Sequence, residues 1–253
     1  MRVSFISIKK FSDKPYSEIL GYPRANSRQI KSRINELEKL KIKSISLTGP
    51  TTLGKLAILG KGYVGVVVLA KKNSKQVALK IRRTDSQRKE MKNESILLKQ
   101  VNSVNIGPKM ILASKNFLVM EYLEGEKISE WVQKLKGTGS VKKLKSTIRS
   151  ILEDCYRLDQ IGLDHGELSN ISKHVIVGKT KSTLIDFESS STKRRSSNVT
   201  SATQAIFIGS GIAKKVQKIY NNPPKEKIIG ALKQYKQEKS QTSFENLLNI
   251  LKL

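Results

Sequence analysis

Cysteine is nearly missing from this chain of 253 residues: Cys155 stands alone, so no intramolecular disulfide can form, and a reducing cytoplasm is the expected compartment. Long apolar runs are also missing, and no stretch approaches the roughly 20 residues that a membrane span requires. Met1 to Lys10 holds neither an apolar h-region nor a small-residue cleavage site, so no signal peptide is expected. Acidic residues are scarce: 21 Asp and Glu face 48 Lys and Arg, a formal net charge of +27. A field of that sign raises on-rates for polyanions, so acidic protein, nucleic acid and ribosome are the candidate partners. A solvated lysine-rich surface explains the same number equally well. Nothing in the sequence addresses oligomeric state, and no internal repeat is visible.

The pattern along the chain predicts an α+β protein. Residues 1–22, with Val3, Phe5, Ile6 and Ile8, predict a short strand or ordered arm. Asn26 or Ser27 is placed to cap a helix from Arg28 to about Leu40, in which Ile30, Ile34, Leu37 and Leu40 form one apolar stripe. Arg28, Lys31, Arg33 and Lys39 lie off that stripe, where a solvated face is expected ahead of the alternative, a face turned to phosphates. Ile42–Leu47 alternates as a strand, and residues 56 to 81 read as strands broken by a turn at Lys71–Lys75. A helix is predicted over Arg88–Val101, then strands over Met110–Leu112 and Phe117–Tyr122. Beyond Glu124 helices dominate: Ile128–Leu135, Leu144–Ile161, Asn198–Tyr220, Lys225–Lys239 and Glu245–Leu251, with a hairpin of Val175–Val177 and Thr183–Ile185 between them. The expected division is an N-terminal extension over 1–50, a strand-rich lobe over 51–123 and a helical lobe over 124–253.

Two glycine-rich segments compete for phosphate. Gly49-Pro50-Thr51-Thr52-Leu53-Gly54-Lys55-Leu56 approaches the nucleotide P-loop, but Leu56 stands where a Mg²⁺-binding hydroxyl is needed. That motif must also open a helix, and only four residues separate Lys55 from the next glycine run at Gly60, so a plain turn is predicted. Gly60-Lys61-Gly62-Tyr63-Val64-Gly65-Val66-Val67 is followed by Val77-Ala78-Leu79-Lys80, with the lysine twenty positions after the first glycine. The glycines admit backbone N–H groups to phosphate oxygens where a Cβ would clash. In dinucleotide-binding folds the third glycine enters a helix; here β-branched Val66-Val67-Val68 predicts a strand, giving strand–loop–strand.

That arrangement resembles the N-lobe of a protein kinase, and further strings follow in the family's order from residue 56 to about 200. The resemblance implies ATP as co-substrate with Mg²⁺ (or Mn²⁺), and Lys80 on the α- and β-phosphates. Asn93-Glu94-Ser95-Ile96-Leu97-Leu98 looks like the helix that supplies the lysine's glutamate; Glu94 is the first candidate and Glu90, a turn earlier, the second. Phe117-Leu118-Val119-Met120-Glu121-Tyr122-Leu123 resembles the last N-lobe strand and hinge, which implies Glu121 and Leu123 backbone on the adenine edge and Met120 behind it. Leu59, Val67 and Ala78 would sandwich the ring, with Gly60, Gly62 and Gly65 over the phosphates. Leu163-Asp164-His165-Gly166-Glu167-Leu168-Ser169-Asn170 and Ile185-Asp186-Phe187-Glu188 are similar to the catalytic loop and the metal-binding aspartate. With Gly166 where most kinases have arginine, and no Ala-Pro-Glu after Asp186, the chain resembles the atypical kinases that include RIO kinases and the small archaeal kinases tied to tRNA modification. More closely still, it resembles an archaeal family of predicted serine/threonine kinases that carries His-Gly-Glu-Leu-Ser and Asp-Phe-Glu-Ser.

Departures from the pattern sharpen the chemistry. Glu167 replaces the catalytic aspartate and is one methylene longer, yet a carboxylate still accepts a hydroxyl proton. For the metal-binding asparagine there are two alternatives, Asn170 by chemistry and His174 by alignment; Mg²⁺ prefers oxygen. Glu188, in place of a glycine, either adds a carboxylate to the metal site or stiffens the turn. His165 fits a scaffold role near Asp186. The resemblance implies a serine/threonine protein kinase. A nucleotide-binding pseudokinase or RNA- or ribosome-associated ATPase is the second reading, and a small-molecule kinase the third. Ser189-Ser190-Ser191-Thr192 invites self-phosphorylation.

Overall fold

Successive side chains on a strand point to opposite faces of its sheet, and the largely apolar runs 65–70, 77–81 and 117–120 supply both faces. The computed structural model describes residues 4–209 and 211–253; Val3 of the expected N-terminal strand and Ser210 of the expected 198–220 helix lie outside the described residues. The chain divides into one unit running to Asn102 and including Pro108–Leu123, and another made of Ser103–Gly107 and Glu124–Leu253.

In chain order the first unit contains β1 (Ile6–Ser7), α1 (Ser17–Leu20), α2 (Ser27–Lys39), β2 (Ile42–Ser46), β3 (Thr51–Leu53), β4 (Leu56–Ile58), β5 (Gly60–Lys61), β6 (Gly65–Lys72), β7 (Lys75–Arg82), α3 (Lys92–Ser103), β8 (Met110–Ala113) and β9 (Phe117–Glu121). Its main sheet runs β1-β2-β6-β7-β9-β8 with β5 paired to β6, and each of these pairs is antiparallel. Val66, Val68, Val77, Leu79, Ile81, Phe117 and Val119 share one core with Ile8, Phe11, Ile19, Leu20, Ile30 and Leu37. Residues 4–47 therefore add two strands to the sheet and bury one of its faces. Val67, Ala78, Lys80 and Met120 alternate with those core positions and occupy the opposite face.

Local chemistry explains the element boundaries. Asn26 caps α2 by accepting from Gln29 N at 2.9 Å while Gln29 Oε1 accepts from Asn26 N, a capping box. Arg33, expected on the solvated side of this helix, is only 4% exposed. Its guanidinium donates to Leu20 O and to Asn116 Oδ1, so hydrogen bonding rather than solvent satisfies it. Gly49–Leu56 opens no helix: β3 and β4 pair as a hairpin from Thr51 to Ile58 that turns at Gly54, in line with the expected turn. Asn73 and Ser74, both at positive φ, make the tight β6–β7 turn. The expected 88–101 helix starts later, at Lys92, because Arg88 O accepts from Arg82 and Met91 N donates to Lys115 O. Glu90 consequently precedes the helix.

The second unit contains β10 (Glu126–Lys127), α4 (Ile128–Lys134), α5 (Ser140–Gln160), α6 (Ile171–His174), β11 (Val175–Val177), β12 (Ser182–Leu184), α7 (Asn198–Thr203), α8 (Gly211–Gln217), α9 (Lys225–Glu238) and α10 (Gln241–Ile250). Strands β10, β11 and β12 form a small antiparallel sheet. The 198–220 segment is not one helix: a π turn over Gln204–Ile208 ends with Gly209 N donating to Gln204 O at 2.7 Å, before α8 begins. The last helix starts at Gln241, earlier than its apolar pattern suggests, because Ser240 accepts from Ser243 N as its cap. An antiparallel-sheet unit followed by a helical one realises the expected α+β class. Among the described residues no helix is long and apolar enough to cross a membrane.

Candidate active site

The residues assigned to nucleotide binding belong to the first unit. Val67 pairs with Lys80 and Leu69 with Ala78, which in turn pairs with Met120, so Val67, Ala78, Lys80 and Met120 project from one sheet face. Leu59 joins this set by donating its N–H to Val67 O at 3.0 Å. Gly62 N donates to Gly65 O at 2.8 Å, which closes the glycine turn. Gly65 is required for a reason unrelated to phosphate: a Cβ there would lie 2.7 Å from Ile81 O. Around Gly60 the space is open, with nothing within 4 Å of the point a Cβ would occupy. Glu121 N donates to Lys109 O and its carboxylate accepts from Lys109 N; Leu123 is the last residue of the unit.

Lys80 and Glu94 meet directly. The ammonium donates to Glu94 Oε1 at 2.6 Å, with side-chain exposures of only 4% and 5%. β7 delivers the lysine. The first turn of α3 delivers the glutamate, where the helix dipole favours an acid, and Leu98 and Val101 anchor that helix. Burying a lysine costs several kcal/mol unless an opposite charge sits against it. A cation held this way is positioned and dehydrated, which suits a phosphate oxygen better than a mobile surface lysine does.

The residues assigned to proton transfer and metal binding belong to the second unit. Glu167 is engaged at both oxygens: Ser189 Oγ donates to Oε1, and His174 Nε2 lies 3.1 Å from Oε2. His165 is fully buried and bonds through Nε2 to Ile185 O at 3.1 Å. Burial, aided by nearby His174, lowers its pKa to about 4, so at neutral pH the ring is uncharged and Nε2 carries the donated proton. The His165 ring packs against His174 and Phe187 at 5.3 and 4.9 Å, joining the loop to the Asp186 turn. Gly166 adopts φ +87°, and a Cβ there would run into Arg194 Nη2 and lie 2.8 Å from Ser189 O. An arginine has no room at this position. Arg194 instead bonds Asp164 at 2.9 Å and Ser189 O at 2.6 Å, tying the loop to the segment after Asp186.

Asp186 is left-handed, φ 67°, and a carboxylate oxygen of Asp186 and one of Glu188 lie within 4.8 Å of each other. Two hard carboxylates at that separation suit a divalent cation such as Mg²⁺. Asn170 is exposed and precedes α6, whereas His174 directs Nε2 at Glu167.

Two positioning residues are not evident from the sequence motifs. Asn198 Oδ1 accepts from His165 N at 2.8 Å, and its amide donates to Leu163 O and Asp159 Oδ1. Asp159 accepts from Asn198 N, Asn198 Nδ2, Val199 N and the Tyr235 hydroxyl. Burial next to this carboxylate pushes the Tyr235 hydroxyl pKa well up, so it remains a donor. A signal was present. Asp159 follows Leu152 and Cys155 on the apolar stripe of α5, where an acid needs buried partners.

The family model of the RIO domain matches residues 66–200, just over half of the chain, from the first residues of β6 to the start of α7. The uncharacterized protein MJ1211 of Methanocaldococcus jannaschii is 28% identical over 102 residues, which is 40% of this chain and 84% of that protein.

Proposed function

This chain belongs to the RIO domain family of atypical protein kinases and ATPases, and on that premise we propose that it transfers the γ-phosphoryl group of ATP to protein serine or threonine hydroxyls. The observation that carries the reading is the buried Lys80–Glu94 pair at 2.6 Å, the pairing a phosphate-gripping lysine requires. Val67, Ala78 and Met120 take the adenine, Glu121 and Leu123 offer backbone to its edge, and Gly60 and Gly62 cover the phosphates. Asp186 and Glu188 would hold Mg²⁺, which when bound neutralises charge developing on the phosphoryl oxygens. His174 serves Glu167 rather than the metal, which leaves Asn170 as the remaining neutral oxygen donor.

Glu167 is the proton acceptor. Its Oε1 already receives a hydroxyl, that of Ser189, and an incoming acceptor hydroxyl takes that place. His174 on Oε2 holds the carboxylate in one rotamer, so the proton moves to a prepared oxygen. The net charge of +27 favours an acidic protein as acceptor. The same charge supports a second reading, an ATPase that works on RNA or a ribosome with water as acceptor.

Isothermal titration of ATP with Mg²⁺ or Mn²⁺ against wild type, Lys80→Met and Asp186→Asn tests the assignment. Lys80→Met should weaken binding at least tenfold with or without metal. Asp186→Asn should weaken it only when metal is present. Equal binding by all three proteins refutes the proposal.

A further inference from the structure

The first unit also carries a charged recess lined by none of the residues assigned to ATP. Arg28, Ser32, Arg33, Arg82, Lys115 and Asn116 line most of a cavity of about 280 Å³, and among the described residues no acidic side chain lines it. Arg33 and Arg82 both donate to one neutral atom, Asn116 Oδ1, at 3.2 Å from Arg33 and at 3.2 and 2.9 Å from Arg82. Their remaining hydrogen bonds go to the backbone carbonyls of Leu20, Arg83 and Arg88. Glu36, the acid beside Arg33, is spent on Asn116, accepting its backbone N–H at 2.8 Å and its amide at 2.7 Å. Two guanidiniums thus converge with no carboxylate between them. Burial and the neighbouring Arg82 lower the pKa of Arg33 to about 10, so the fold bears this crowding of positive charge.

Arg28 and Lys115 are exposed at the rim and, among the described residues, make no side-chain hydrogen bond or ion pair. Arg28 and Gln29 lie in the first turn of α2, a thirteen-residue helix whose N-terminal dipole adds to the positive field. Planar guanidiniums, a lysine and the Ser32 hydroxyl converging on a recess are the donor set for a tetrahedral oxyanion with several acceptor oxygens. We propose that this cavity binds a phosphate group, free or carried by a small phosphorylated ligand, at a site separate from the ATP residues. At 280 Å³ it lies just under the usual range for small-molecule pockets, which fits a compact ligand.

The full-length protein is titrated with orthophosphate and with pyrophosphate, against sodium chloride at matched ionic strength. Orthophosphate at ten times its Kd should raise the melting midpoint by about 3 °C over chloride. Arg28→Ala/Lys115→Ala should weaken phosphate at least tenfold while melting in chloride no lower than wild type, since both side chains are exposed and like-charged. Tighter pyrophosphate binding would identify a diphosphate-bearing ligand, and equal binding a single phosphate. A midpoint no higher in phosphate than in chloride, or an undiminished response in the double variant, overturns the site. The same titrations in Lys80→Met separate this cavity from the ATP residues: the phosphate response should persist there, and its loss overturns the site.

Discussion

Asp159→Asn isolates how the catalytic loop is held. The native carboxylate accepts four hydrogen bonds: two at Oδ1, from Asn198 N at 2.9 Å and Asn198 Nδ2 at 2.8 Å, and two at Oδ2, from Val199 N at 3.2 Å and the Tyr235 hydroxyl at 3.0 Å. An asparagine keeps one oxygen and turns an NH₂ toward the other two donors, so two buried donors lose their acceptor. Each such loss costs about 1–3 kcal/mol, which places the total near 4 kcal/mol. If the lost pair is that of Asn198, its Oδ1 loses its aim at His165 N, and if it is that of Val199 and Tyr235, the start of α7 loosens beside it; in both cases phosphoryl transfer should fall more than ATP affinity. Trp131, the only tryptophan, sits in α4 of the second unit and reports urea unfolding there by fluorescence. A loss under 1 kcal/mol, or unchanged transfer with an unfolding midpoint shifted as expected, refutes the reasoning.

Glu94→Gln removes the negative member of a buried pair 2.6 Å from Lys80, and should cost on the order of 3 kcal/mol in urea unfolding while weakening ATP binding in titration. Gly166→Ala forces a Cβ into Arg194 and Ser189 O at φ +87°, so about 2 kcal/mol of stability should be lost, measurable by thermal melting. His165, one of only two histidines, should remain neutral by NMR titration until about pH 4. Its folded pKa lies below the unfolded value near 6.5, so its contribution to stability is complete above that value. Stability is then lost as pH falls from about 6.5 toward 4, by about 1.4 kcal/mol per pH unit at most.

Much of this is legible in the amino-acid order alone. The glycine run enters β-branched Val66-Val67-Val68, and Val77–Leu79 and Phe117–Met120 are short unbroken apolar runs; they form adjoining antiparallel strands with Val67, Lys80 and Met120 on one face. Glu94 is legible because helical spacing around Leu98 and Val101 puts it on the buried side. What cannot be read is nonlocal. Arg33 looks solvated because its partners, Leu20 O and Asn116, lie 13 and 83 residues away. The break at Gln204–Ile208 hides inside a run whose apolar spacing suits a continuous helix. The partnering of Glu167 with Ser189 and His174 depends on a turn after Asp186 that composition does not encode.

The central claim, hydroxyl phosphorylation by ATP, is tested most directly by following the label of γ-³²P ATP, with Mg²⁺ and an acidic or basic acceptor protein, into its products. Acid-stable phosphoserine or phosphothreonine that vanishes in Lys80→Met and falls at least a hundredfold in Glu167→Gln is the predicted result. Label appearing solely as orthophosphate, or transfer undiminished in Lys80→Met, would contradict it.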